Sequence, residues 1–188
     1  MNRRLENVHC TGLLLILLLT VGLVNISYAN PTQGGAGQIV REVRHELATL
    51  PYYGVFDWLE YEVRPDYTVV LRGQVVRPTT KSDAERRVKD ISEVKAVENQ
   101  IEVLPVSPND DRLRVAIYRA LYNWNSPLFR YATQSVPAIH IIVRNGRATL
   151  KGLVASKGDA QQAYIRARGV PGLFEVKNEL KVESEVPR

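Results

Sequence analysis

Residues 71–103 and 150–182 of this 188-residue chain are two versions of one segment. They align without a gap at a constant offset of 79, and eight of the 33 positions are identical. These are Leu71, Gly73, Val75, Ala84, Arg87, Val97, Asn99 and Val103, matched by Leu150, Gly152, Val154, Ala163, Arg166, Val176, Asn178 and Val182. Whatever one copy folds into, the other must fold into as well, so the duplication restricts the chain to a paired architecture. Two copies are too few for a solenoid, and a unit of about 70 residues is only marginally stable alone. Packing between the copies is therefore expected.

Each copy has the same order of elements. In the first, Ile39, Val40, Val43, Leu47 and Leu50 gather on one helical face, predicting a helix over 38–50 that Pro51 ends. Residues 58–63 and 67–76 are rich in β-branched and aromatic side chains, and Arg64, Pro65 and Asp66 supply a turn between them. Ala84, Val88 and Ile91, at helical spacing behind the capping-type residues Thr80 and Asp83, predict a second helix over 79–91, and Val97, Asn99, Ile101 and Val103 then alternate as a half-buried strand. The second copy predicts helices over 111–124 and 158–168 and strands over 138–144, 147–154 and 175–183, with Asn145-Gly146 as a hairpin turn. Glycine inside a strand costs stability, so its recurrence at Gly73 and Gly152 implies a close backbone or helix approach, or a bulge. The expected fold class is α+β: two tandem α-β-β-α-β two-layer sandwiches, over 38–106 and 107–185.

The α-β-β-α-β order, the Leu71-x-Gly73-x-Val75 and Leu150-x-Gly152-x-Val154 strands and the closing Val97-x-Asn99 and Val176-x-Asn178 strands resemble the BON domain. The likeness covers both copies. It implies an exported bacterial envelope protein of the tandem-BON type, a group associated with osmotic or envelope stress and with binding anionic phospholipid. On that reading Gly73, Gly152, Asn99 and Asn178 are fold determinants, and activity has to be argued from other residues.

The amino terminus fits export. Arg3 and Arg4 precede an uncharged run over 11–24, followed by Ser27-Tyr28-Ala29, a small-x-small cleavage pattern. Residues 1–29 read as a cleavable signal peptide leading to the periplasm, with an uncleaved signal anchor tethering the protein to the membrane as the alternative; residues 30–37 read as a spacer. Cys10 is the sole cysteine and leaves with the signal. Beyond residue 29 the chain has 23 basic and 19 acidic residues, too small an imbalance to indicate a nucleic-acid partner.

Catalytic signatures are missing from the sequence. His45 and His140 are the histidines past residue 29, no nucleophile elbow or Cys-His arrangement occurs, and adjacent Asp110 and Asp111 read as caps at a helix start. No enzyme activity, metal or cofactor is expected. The helix over 111–124 is more informative. At about 100° per residue, Leu113, Ile117, Leu121 and Trp124 share a core face, yet the opposite side holds Val115, Tyr118 and Tyr122, flanked by Arg112, Arg114 and Arg119. The corresponding helix of the first copy carries Arg41, Arg44, His45 and Ala48 there, without an aromatic. The second stripe either packs against the first copy or forms a basic, aromatic surface for anionic lipid, with tyrosine rings at headgroup level. The aromatic run Tyr52, Tyr53, Phe56 and Trp58, and Leu128, Phe129 and Tyr131 in the second copy, either plug a core edge or frame a groove. The functional expectation is a non-enzymatic envelope module that reversibly binds anionic phospholipid surfaces through Arg112, Arg114, Val115, Tyr118, Arg119 and Tyr122. The alternative is a chaperone-like stress factor that binds envelope proteins in grooves between the copies.

Overall fold

A computed structural model describes residues 35–185. The proposed signal peptide, Cys10 and the first part of the spacer lie outside the described residues. The first copy comprises α1 (Gly35–Ala48), β1 (Trp58–Val63), β2 (Thr68–Val75), α2 (Pro78–Lys89), β3 (Ala96–Asn99) and β4 (Glu102–Val103). The second comprises α3 (Pro108–Leu121), β5 (Ile139–Arg144), β6 (Arg147–Val154), α4 (Lys157–Arg168) and β7 (Glu175–Val182), with a 3-10 turn at Pro127–Ala132. Among the described residues no helix is long and apolar enough to cross a membrane.

Both copies are two-layer sandwiches. In each, an antiparallel hairpin is extended by a strand parallel to its second member, giving the order β1-β2-β3, with β4 also on β2, and the order β5-β6-β7. Helices cover one face of each sheet. Ile39, Val43 and Leu47 of α1 meet Val69, Leu71 and Val75 of β2 together with Ala84 and Val88 of α2. Leu113, Ile117 and Leu121 of α3 meet Ile139, Ile141, Val143, Leu150 and Val154, with the small Ala163 and Ala167 letting α4 lie close. Burying a Leu, Ile or Val side chain stabilises by roughly 1.5–3 kcal/mol, so these two stripes supply most of the driving force.

The recurring glycines are explained by approach of the neighbouring strand. At Gly73 (φ +120°) an added Cβ would lie 1.9 Å from the Trp58 carbonyl oxygen, and at Gly152 (φ +124°) 2.0 Å from that of Ala138. The recurring asparagines tie the last strand to a helix. Asn99 Nδ2 donates to Lys81 O (3.1 Å) and Asn178 Nδ2 to Ala160 O (3.0 Å), while each Oδ1 accepts the amide two residues on.

Several local expectations are corrected. Helix α1 begins at Gly35, inside the expected spacer. The strand expected over 97–103 is interrupted after Asn99, where Ile101 N–H is taken by the Asn99 side chain. Helix α2 has Arg77 at its N-cap with no side-chain bond, and Thr80 is buried instead. Ser107 caps α3, accepting Asp110 N–H at 3.2 Å. That frees the buried Asp110 carboxylate for the β5–β6 turn, where it accepts the amides of Asn145 and Gly146, both at 2.8 Å.

Candidate functional site

The copies are joined by the α1–β1 connection, residues 49–57, which lies along the edge of the second sheet. Ile141 N–H donates to Val55 O at 2.8 Å, and His140 Nδ1–H donates to Asp57 O at 2.5 Å. The His140 ring meets Trp58 edge to face at 5.1 Å and Tyr53 at 5.7 Å. Burial lowers the pKa of His140, against the pull of the Asp57 and Gly54 carbonyls, so the ring is held neutral. Burial raises that of Asp57, opposed by the amides of Val76 and Gly54 and by the charges of Arg77 and Arg114. Arg144 and Glu102 add an ion pair between the copies at 2.7 Å. The aromatic run before β1 is thus largely a clamp between the sandwiches.

This clamp decides the fate of the second stripe on α3. Phe56 meets Tyr118 edge to face at 6.2 Å, and Tyr118 packs on Tyr122 at 5.1 Å. Tyr122 is 6% exposed, and its hydroxyl donates to Ile139 O at 2.7 Å. Burial pushes the Tyr122 hydroxyl pKa up, as expected of a phenol that stays a neutral donor. Arg114 is 3% exposed, bonded to Asp111 and, through Nη2, to Val143 O at 2.7 Å. Tyr122 and Arg114 therefore belong to the interior and cannot meet a ligand, and Tyr118 is half-covered by the first copy.

Arg112, Val115 and Arg119 are exposed, spaced three and four apart along one outer ridge of α3. A residue expected in the core lies at the surface just past the end of this helix. Trp124 is 82% exposed, because α3 stops at Leu121 and the C-cap Tyr122 takes a non-helical conformation, so the helical spacing no longer applies beyond it. Its indole rests edge to face on Phe129 at 4.5 Å. The 3-10 turn that brings Phe129 there is started by Ser126, whose hydroxyl accepts Leu128 N–H. Arg112 Nη2 also bonds Asn109 Oδ1 at 2.8 Å, leaving the guanidinium at the surface. Chemically, the ridge offers two cations and one aliphatic side chain, and the segment that follows the helix adds a large exposed amphipathic ring.

A groove of about 440 Å³ also lies between the copies, walled by Gln74, Glu102 and Leu104 on one side and by Ile142, Arg144 and Lys151 on the other. Its charges are matched within the protein by Arg144–Glu102, Arg147–Glu175 and Lys151–Glu179 pairs. Such walls offer little apolar surface to an unfolded chain. Among the described residues no group of three or more His, Cys, Asp or Glu is placed to hold a metal ion.

Comparison with known proteins matches the BON domain twice, over residues 37–105 and 109–184. No curated protein matches the chain. Among solved structures, CdsD, a structural protein of the type III secretion system of Chlamydia trachomatis, is 13% identical over 79% of this chain and 94% of its own, with a TM-score of 0.30. The CdsD C-terminal domain is likewise 13% identical over 79% of this chain and 98% of its own, with a TM-score of 0.28.

Proposed function

The chain belongs to the BON-domain family, whose members serve as binding modules in envelope-associated proteins, and from that premise we propose that it is a periplasmic, non-enzymatic protein that visits anionic phospholipid surfaces. The observation that carries this reading is the exposure of Trp124, three residues past the end of the helix that presents Arg112, Val115 and Arg119 to the surface. An indole is at its most favourable where an apolar ring and a polar N–H face different media, which describes the headgroup layer. Each arginine near an anionic surface contributes about 1 kcal/mol, so Arg112 and Arg119 together give about 2 kcal/mol before the tryptophan is counted. Attachment of this size is reversible and salt-sensitive, suiting a protein that exchanges between solution and membrane. Export by a signal peptide over 1–29 would bring the ridge into the compartment where such surfaces are met.

Co-sedimentation with phosphatidylglycerol vesicles tests the reading. Binding is expected to phosphatidylglycerol and not to phosphatidylcholine, to fall about 30-fold in the Arg112→Ala, Arg119→Ala double variant, and to fall further with Trp124→Ala. Equal binding to both lipids, or indifference to all three substitutions, would count against it.

A further inference from the structure

The open edge of the second sheet carries its own pattern. Among the described residues, strand β7 pairs only with β6, and Glu175, Lys177, Asn178, Glu179 and Lys181 are exposed along it. The opposite edge, β5, is capped by the first copy through the Ile141–Val55 hydrogen bond. An uncovered strand edge is a template for another strand, and proteins usually interrupt or blunt it. The first copy does so: its equivalent edge is split into β3 and β4, and its outward charges, Glu98 and Glu102, have one sign. In contrast, β7 runs unbroken for eight residues, and its charges alternate as Glu175, Lys177, Glu179, Lys181.

That alternation is self-complementary, and although β6 holds Glu175 through Arg147 at 3.4 Å and Glu179 through Lys151 at 2.9 Å, both carboxylates stay exposed to a lysine from a second strand. When two β7 strands run antiparallel with Asn178 opposite Asn178 of the second copy, Glu175 faces Lys181, Lys177 faces Glu179, and Val176 faces Leu180, each twice by symmetry. Phe174, 79% exposed just before β7, comes to the end of the partner strand at Val182. At mid-edge, Leu180 N–H rests on Asn178 Oδ1 at 3.3 Å, a long bond that a carbonyl of an added strand can replace at ordinary length. We propose that β7 is the seam of a two-fold homodimer in which the two three-stranded sheets join into one of six strands. The contact is a single strand pair, so the dimer forms and dissociates with concentration.

Sedimentation equilibrium on the purified protein tests this through charge swapping. The wild type is expected to approach twice the mass of one chain as concentration rises. Lys177→Glu sets two carboxylates against each other across the seam, the new one facing Glu179 of the second copy, and Glu179→Lys sets two lysines together, so each variant alone should remain at the mass of one chain. Mixed in equal amounts the two become complementary, and the mixture should recover the wild-type dimer as a one-to-one heterodimer. Concentration-dependent protection of the β7 amides in hydrogen exchange of the wild type gives a second readout that needs no variant. A wild type that stays at the mass of one chain with unprotected β7 amides would overturn the proposal. So would single variants that dimerise like the wild type, a mixture without recovery, or open-ended oligomers in place of a closed pair.

Discussion

At the scale of single residues, the positions that repeat are those where the backbone leaves no choice. Gly73 and Gly152 combine a positive φ with a neighbouring carbonyl about 2 Å from any Cβ, so two penalties fall on one atom. Gly152→Ala is expected to cost roughly 2–4 kcal/mol in urea unfolding, and Gly73→Ala a similar amount; a loss under 1 kcal/mol would show that the strands can shift apart. The repeat made this legible in the sequence, because a costly residue kept in both copies has to answer a shared need. Arg114 and Tyr122 were not legible. Their partners, Val143 O and Ile139 O, lie on β5, and no helical spacing reports a carbonyl brought up from another element. An arginine and a tyrosine on an outer helical face look alike in the sequence whether they meet water, lipid or a buried carbonyl.

At the scale of elements, the same limit appears at helix ends. The strands β1 and β6 lie where their alternating patterns put them, at Trp58–Val63 and Arg147–Val154. Helix α3 begins and ends about three residues early, with Ser107 as its cap and Leu121 as its last residue, and this early stop turns Trp124 from a core side chain into an exposed one. The early start likewise moves Asp110 from a cap to the Asn145-Gly146 turn, so one buried carboxylate couples α3 to the β5–β6 hairpin. Asp110→Ala leaves two buried or half-buried amides without their acceptor. It should lower stability by roughly 2–4 kcal/mol, with hydrogen exchange at Asn145 and Gly146 speeding up more than at β2. Uniform acceleration across both copies would mean that the carboxylate supports the fold as a whole and does not specifically pin that turn.

For the molecule as a whole, the joint between the copies is built around a neutral histidine, and that makes its stability depend on pH. Because burial depresses the His140 pKa below its ordinary 6.5, the unfolded chain takes up a proton at a pH where the native protein does not. The contribution is fully present above about 6.5 and is lost as pH falls from there toward the folded value. Asp57 acts in the opposite sense and lower down, since its raised pKa favours the native state as pH drops toward 3.8. Unfolding free energy should therefore fall between pH 7 and pH 5.5. His140→Gln should flatten that slope, and an unchanged slope would mean that the joint opens before the ring titrates. The duplication and the two sandwiches were readable from periodicity, but the clamp was not, because it pairs an aromatic run of one copy with an edge strand of the other. Trp58 and Trp124 are the two tryptophans of the chain, so Trp58→Phe leaves Trp124 as its single tryptophan fluorophore. The most direct measurement is the emission of that variant with vesicles of bromine-labelled phosphatidylglycerol. A blue shift and quenching by the acyl-chain bromines are expected, both reversed in about 0.5 M salt, where screening shortens to ~4 Å. Emission that keeps its wavelength and intensity at saturating lipid would show that Trp124 does not enter the headgroup layer.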